Sequence, residues 1–160
     1  MTIGIGVSNS EPLTNRKFIH AEPDGPQVAI DLAVVEYDDA EGGAELYQVP
    51  LSCYREPQGR LAHAFVGEGE DPDLGACMVY DAVHDREAMA VYLRAFAATP
   101  PEETRRIGGL VFHRIAAHEL DTETHSTLFS GEQSNSSVAF GDDSLLKVFR
   151  KVNPGPNPDI

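Results

Sequence analysis

Near the C-terminus, Gly131-Glu132-Gln133-Ser134-Asn135-Ser136-Ser137 forms a run of small polar residues leading into the apolar Val138-Ala139-Phe140. Gly141-Asp142-Asp143 reads as a tight turn. Ser144 to Arg150 then returns as a second strand, with Lys147 placed among Leu145, Leu146, Val148 and Phe149. Small residues such as Gly131, Ser134, Asn135, Ser136 and Ser137 let backbone N–H groups approach an oxygen-rich anion, where bulky side chains would hold the main chain away. A lysine on an apolar strand costs desolvation unless it meets an anion or a carboxylate. The chemistry suited to this pattern is phosphate binding, with Lys147 as the neutralising cation. An ordinary solvated hairpin is the competing reading, because Ser- and Asn-rich turns between strands are common.

Charge restricts the ligand classes. The 160 residues hold 26 acidic and 12 basic side chains, a net charge of −14. Such a surface argues against nucleic acid, whose phosphate backbone requires a basic face. Lys147, Arg150 and Lys151 nevertheless cluster beside the glycine–serine run, a local positive spot that fits a small anionic ligand or simply a solvated strand end. No apolar run reaches the roughly 18 residues of a membrane span, and Met1-Thr2-Ile3-Gly4 lacks the basic start of a signal peptide, so a cytoplasmic protein without a membrane partner is expected. Cys53 and Cys77 fit no metal or redox spacing and are expected to be reduced, in or near the core.

Other constellations carry less. His113, His118, Glu119 and His125 contain no His-Glu-x-x-His spacing, and on a strand 113 and 118 point to opposite faces, so no metal site is expected. Glu68, Glu70, Asp71 and Asp73 lack the spaced ligands of a calcium loop. Gly4-Ile5-Gly6 has neither the preceding strand nor the third glycine of a dinucleotide fingerprint. His84-Asp85 opens an amphipathic stretch, where an aspartate is a helix N-cap rather than a catalytic base. No serine or cysteine is ordered into a nucleophile with a base.

The elements that must position the hairpin read as α+β. Residues 1–26 are weakly patterned and punctuated by Pro12, Pro23, Gly25 and Pro26, and are expected to be irregular or partly ordered. Gln27 to Tyr37 reads as a strand with Val28, Ile30, Leu32 and Val34 on one face. Residues 38–43 read as a turn, and Glu45 to Tyr54 as the returning strand, with Pro50 signalling an edge or bulge. Arg60 to Gly67 and Gly75 to Tyr80 read as short strands flanking an acidic loop at 67–73. Asp85 to Ala98 changes to a helical period, with Met89, Leu93 and Phe96 on one stripe and Thr99-Pro100-Pro101 ending it. Residues 99–106 read as a polar connector. Strands follow over Leu110–Ala116, Ser126–Ser130, Ser137–Phe140 and Ser144–Arg150, then an extended tail rich in proline.

Three groups of residues add a resemblance: Gln133-Ser134-Asn135-Ser136-Ser137-Val138 with Gly141-Asp142; Leu146-Lys147-Val148-Phe149-Arg150-Lys151-Val152; and Pro154-Gly155-Pro156-Asn157-Pro158-Asp159. Together they resemble the nucleotide-binding segment of the bacterial maltokinases, sugar kinases with an aminoglycoside-phosphotransferase-like core. Glu45 to Leu51 and Tyr80 to Asp85 are similar to the N-terminal cap domain of that family. The resemblance implies a cap domain over 27–105, an antiparallel sheet packed on one helix, and antiparallel strands of a partial kinase N-lobe over 106–160. It implies ATP with Mg2+ as cofactor, Gln133, Ser134, Asn135, Ser136 and Ser137 over the phosphates, Lys147 on the α/β-phosphates, and Val138, Phe140 and Leu146 walling the adenine. The family's reaction converts ATP and maltose into maltose 1-phosphate and ADP, within glycogen biosynthesis. Association with enzymes of trehalose and maltose metabolism is implied in the same way.

The departures are equally specific. No His-Gly-Asp or His-Arg-Asp catalytic loop and no Asp-Phe-Gly-like metal site occurs in the sequence, so the base, the metal ligands and the sugar-binding residues are expected to belong to a C-terminal lobe outside it. The chain by itself is therefore expected to be inactive. A non-catalytic cap-like interaction module, a truncated gene product, or a fragment of a glucosamine-type sugar kinase are the alternatives.

Overall fold

The computed structural model describes residues 2–3, 5–7, 19–20, 25–36, 43–71, 74–107, 110–115, 118–129 and 135–153, those before residue 25 as backbone only. Its strands are β1 (Thr2–Ile3), β2 (Ile5–Val7), β3 (Ile19–His20), β4 (Gln27–Glu36), β5 (Ala44–Tyr54), β6 (Phe65–Asp71), β7 (Gly75–Asp81), β8 (Thr104–Ile107), β9 (Leu110–His113), β10 (Ser126–Phe129), β11 (Asn135–Phe140), β12 (Ser144–Phe149) and β13 (Lys151–Val152), with helix α1 over Arg86–Ala97. They form three sheets, ordered β3-β4-β5-β7-β6, β2-β9-β8 and β1-β12-β11-β10. The pairings are antiparallel except that of β1 with β12. The class is α+β, as the sequence predicts.

β4 and β5 pair along their whole length, from Gln27 opposite Cys53 to Glu36 opposite Ala44. Burial fades along β4, from Val28 at 0% exposed to Val34 at 59%, because a ten-residue strand outruns the core beneath it. The other edge of β5 is shared. Its C-terminal part, Leu51 to Tyr54, pairs with β7, and Leu46 and Tyr47 pair with β13. Pro50 lies between those two partners, where a residue lacking an N–H is tolerated.

Three expectations fail, each for a stated reason. Gly59–Ala64 is a 3-10 helix and the strand begins only at Phe65; Leu61 and Ala64 are both buried, a three-residue period rather than an alternation. Most of the expected acidic loop is β6, with Glu68 opposite Met78 and Glu70 opposite Ala76. Glu68 and Glu70 are exposed on the last strand of its sheet, where charge discourages pairing with another chain. Residues 72–73 of that stretch lie outside the described residues, as do 38–42 of the predicted turn and the tail from 154. The expected connector at 99–106 contains β8, which pairs with β9; Thr104, Arg105 and Arg106 are exposed, so no apolar alternation marked it.

α1 follows its sequence signals closely. The Asp85 carboxylate accepts from the Glu87 N–H as N-cap, and Met89, Leu93 and Phe96 are at most 1% exposed. These residues join Val28, Ala82, Val83, Phe112, Val138, Phe140, Leu146 and Val148 in one buried cluster, so the core draws on residues from both sides of position 105. Within the first 26 residues lie β1, β2 and β3, which join three different sheets.

The β11–β12 turn contains Gly141 at φ 55°, a left-handed conformation. A Cβ there would lie 2.7 Å from Thr124 Oγ1. Gly141→Ala is therefore expected to destabilise by about 1–2 kcal/mol, from left-handed strain and displacement of the threonine. Urea denaturation of the variant checks this; an unchanged midpoint would refute it.

Candidate functional site

The register of β11 and β12 decides which side chains can act together. Asn135 lies opposite Phe149, Ser136 opposite Val148, Ser137 opposite Lys147, and Val138 opposite Leu146. Directly opposed residues share a face and neighbours along a strand alternate. Lys147 therefore shares a face with Asn135, Ser137, Ala139, Leu145 and Phe149. Ser136 shares the other face with Val138, Phe140, Leu146 and Val148, the four of which belong to the core.

Of the predicted contact residues, Gln133 and Ser134 lie outside the described residues, with Gly131. Asn135 and Ser137 are brought to the Lys147 face, and Ser136 is not. Ser137 is 3% exposed and has strand neighbours on both edges, Phe129 and Lys147. Lys147 is half-buried and makes no ion pair with a described residue. Around it Ala139, Leu145 and Phe149 are half-buried, and Phe129, in the same row as Ser137, is 56% exposed. Lys147 is therefore a cation on a partly open face that mixes apolar residues with Asn135 and Ser137.

The adenine-wall expectation requires correction. Val138, Phe140 and Leu146 are 0%, 1% and 2% exposed and pack in the core, on the face away from Lys147. A side chain without free surface offers a base nothing to stack on. The positive spot is also smaller than the sequence suggests. Arg150 Nη2 donates to Asp81 Oδ2 at 2.8 Å and Oδ1 at 3.1 Å, and Nε donates to Ser136 Oγ at 3.0 Å. Lys151 Nζ pairs with Glu45, whose other oxygen accepts from the Tyr47 hydroxyl at 2.6 Å.

A second polar cluster surrounds the N-terminus of α1. Asp85, fully buried, accepts from Tyr54 Oη at 2.6 Å, Arg60 Nη1 at 2.9 Å and the Glu87 N–H at 3.1 Å. Arg60 also pairs with Glu87 at 3.0 Å. Burial, then the hydrogen bond to Asp85 and its charge, push the Tyr54 hydroxyl well above its ordinary value and keep it neutral. The cluster is spent on the helix start, as the N-cap reading of Asp85 predicts. Nothing in the sequence signalled Tyr54 and Arg60 as its partners.

His113 and His118 are engaged separately: His113 Nδ1 meets Thr104 Oγ1 at 2.8 Å, and His118 Nε2 meets Asp143 Oδ1 at 2.8 Å, while His63 and His84 meet edge to face with ring centroids 5.2 Å apart. Among the described residues no group of three or more His, Cys, Asp or Glu could hold a metal ion, and no helix is long and apolar enough to cross a membrane. Cys53 and Cys77 are buried and form no disulfide. A groove of about 550 Å³ runs along α1 past Arg86, Ala90, Arg94, Glu123 and His125, and contains none of the candidate phosphate-binding residues.

Residues 8–85 match the family model of the maltokinase N-terminal cap domain. The N-terminal part of the chain is maltokinase-related. The matched segment ends at Asp85, the residue that caps α1, and contains β3 to β7. It includes Asp81, so the contact from Arg150 Nη2 to both Asp81 oxygens joins the maltokinase-type cap to the end of the hairpin. Gln48 makes the same junction: its main-chain N–H donates to the Arg150 carbonyl at 2.8 Å, and its side-chain Nε2 donates to the Phe149 carbonyl at 2.6 Å.

Proposed function

We propose that this chain is the N-terminal part of an ATP-dependent sugar kinase resembling maltokinase, contributing the cap and the hairpin that holds the phosphates. The observation that carries it is Lys147, half-buried and opposite Ser137 on the non-core face of a hairpin joined directly to a maltokinase-type cap. In this role the Lys147 ammonium neutralises phosphate charge, with the Asn135 side chain on the same face. Gln133, Ser134 and the main chain leading into β11 supply further donors. The apolar surface for a base falls to Ala139 and Leu145, on the Lys147 face, in place of Val138, Phe140 and Leu146. Mg2+, which balances phosphate charge in such transfers, would take its ligands from outside the described residues, as would the base that accepts the sugar's proton. The complete enzyme acts in the cytoplasm on maltose, giving maltose 1-phosphate for glycogen synthesis.

Calorimetry with Mg-ATP tests the reading. Losing one charge-assisted contact costs roughly 1.5–3 kcal/mol, so Lys147→Ala is expected to weaken binding about 10- to 100-fold. Wild-type protein that does not bind Mg-ATP, or a variant that binds equally well, refutes it. Purified chain is expected to leave maltose unphosphorylated.

One observation favours the non-catalytic module: the buried cluster joins the cap residues to the hairpin strands, as expected of a self-supporting unit. A monodisperse monomer that melts in one step but ignores Mg-ATP would establish that reading instead.

A further inference from the structure

On the nucleotide reading above, we infer that Arg150 is a positioning residue: through Asp81 and Ser136 it fixes the phosphate hairpin to the cap, so that cap and nucleotide are energetically coupled. Its guanidinium makes three hydrogen bonds, two to the Asp81 carboxylate and one to the Ser136 hydroxyl. Asp81 is itself held, since Oδ1 accepts from the Val83 N–H at 3.2 Å at the start of the short 3-10 turn before α1. The Arg150 and Asp81 side chains are 21% and 26% exposed, which shields the pair from much of the solvent screening that weakens surface ion pairs. One nitrogen, Nη2, reaches both carboxylate oxygens while Nε holds Ser136, so the planar guanidinium is fixed in direction as well as distance.

What Arg150 positions follows from register. Ser136 lies one residue before Ser137 on β11, and Arg150 lies three residues after Lys147, so the guanidinium ties both strands of the hairpin at the end that receives the glycine–serine run. Gln48 grips the main chain at Phe149 and Arg150 from the cap side. Rotating or sliding β12 to move the Lys147 ammonium would break the contacts to Asp81, Ser136 and Gln48 together. The Arg150 cation is consumed by Asp81, which leaves Lys147 to meet the anion. The Ser136 hydroxyl, placed on the core side, serves as the handle on β11 rather than as a phosphate donor.

The test measures Mg-ATP affinity and thermal midpoint in the full chain for wild type, Asp81→Asn, Arg150→Lys, Ser136→Ala, the Asp81→Asn/Arg150→Lys double variant and Lys151→Ala. Asp81→Asn and Arg150→Lys are each expected to weaken binding about tenfold, a usual size for coupled sites, with the double variant no worse than the weaker single. Lys151→Ala breaks the adjacent pair with Glu45 and is expected to leave affinity unchanged. Affinity losses that merely track the thermal midpoints across all variants, Lys151→Ala included, would reduce Arg150 to a structural brace and overturn the inference. Unchanged affinity in Asp81→Asn and Arg150→Lys overturns it while the nucleotide reading stands. Absent Mg-ATP binding by wild type overturns that reading and the inference with it. Should Asp81→Asn fail to fold, Ser136→Ala decides, because it removes only the Nε contact: affinity equal to wild type refutes the coupling.

Discussion

Asp85→Ala is expected to cost about 3 kcal/mol of stability, the largest loss for a polar substitution in the cap. One carboxylate does three jobs: it caps α1 at the Glu87 N–H, accepts from the Tyr54 hydroxyl and pairs with Arg60. A helix cap alone contributes about 1 kcal/mol. Removing one member of a buried pair costs about 3–5 kcal/mol when the remaining charge has no other solvent or partner. The Arg60 side chain is 41% exposed and keeps Glu87 at 3.0 Å, which brings the expected total towards the lower end. Tyr54, 6% exposed, loses its nearest acceptor and keeps only Glu87 Oε2 at 3.4 Å for its proton, with Arg60 Nη2 still donating to its oxygen at 2.9 Å. Urea denaturation followed by far-UV circular dichroism measures the change. Asp85→Asn keeps one acceptor oxygen for the Glu87 N–H and Arg60 and turns its amide N–H towards the Tyr54 oxygen, which can accept, so it should lose less than half as much. Equal losses in the two variants would show that charge, not hydrogen bonding, holds the cluster.

The same cluster marks where sequence reasoning succeeds and where it stops. Asp85 as N-cap, the Met89/Leu93/Phe96 stripe and the β4–β5 hairpin were legible because caps, helical period and strand alternation are local signals. β6 and β8 were not, because edge strands with one polar face and several exposed positions carry no apolar alternation. The 3-10 helix at Gly59–Ala64 was misread because its Leu61/Ala64 period is too short to distinguish from a strand. Partners distant in sequence leave no local trace: Tyr54 reaches Asp85 across 31 positions, and Arg150 reaches Asp81 across 69.

The candidate site was legible in composition but not in geometry. Lys147 among apolar residues and the Ser/Asn run were visible as residue types. Grouping Ser136 with Ser137 ignored the alternation that turns them to opposite faces. Assigning Val138, Phe140 and Leu146 to a ligand treated hydrophobic strand residues as available, when a helix and a second sheet already cover them. The positive cluster beside the hairpin is also reduced to Lys147, since Arg150 and Lys151 pair with the acidic Asp81 and Glu45.

Phe140→Ala is expected to cost about 3–5 kcal/mol, the range for truncating a fully buried phenylalanine. The ring is 1% exposed and belongs to the cluster that contains Phe96, Met89 and Leu93 of α1 together with Phe112 of β9. Phe140 therefore stands on the hairpin by sequence but in the cap's core by packing. Other links run the same way: Arg114, just after β9, donates to the Ala97 and Thr99 carbonyls at the end of α1, and β13 completes the edge of β5. If the two parts folded separately, as a boundary at 105 implies, truncating Phe140 would unfold only the strands after it and leave the α1 signal intact. A shared core predicts one transition, displaced to lower temperature by the same amount whether followed by helix ellipticity or by tyrosine signals from Tyr54, Tyr80 and Tyr92, which are buried and precede that boundary. A loss of this size is a large part of the roughly 5–15 kcal/mol typical of a folded domain, so the variant should be marginal at room temperature. Two separated transitions would assign the hairpin to its own unit, and would leave Arg150 and Gln48 as the contacts through which it communicates with the cap.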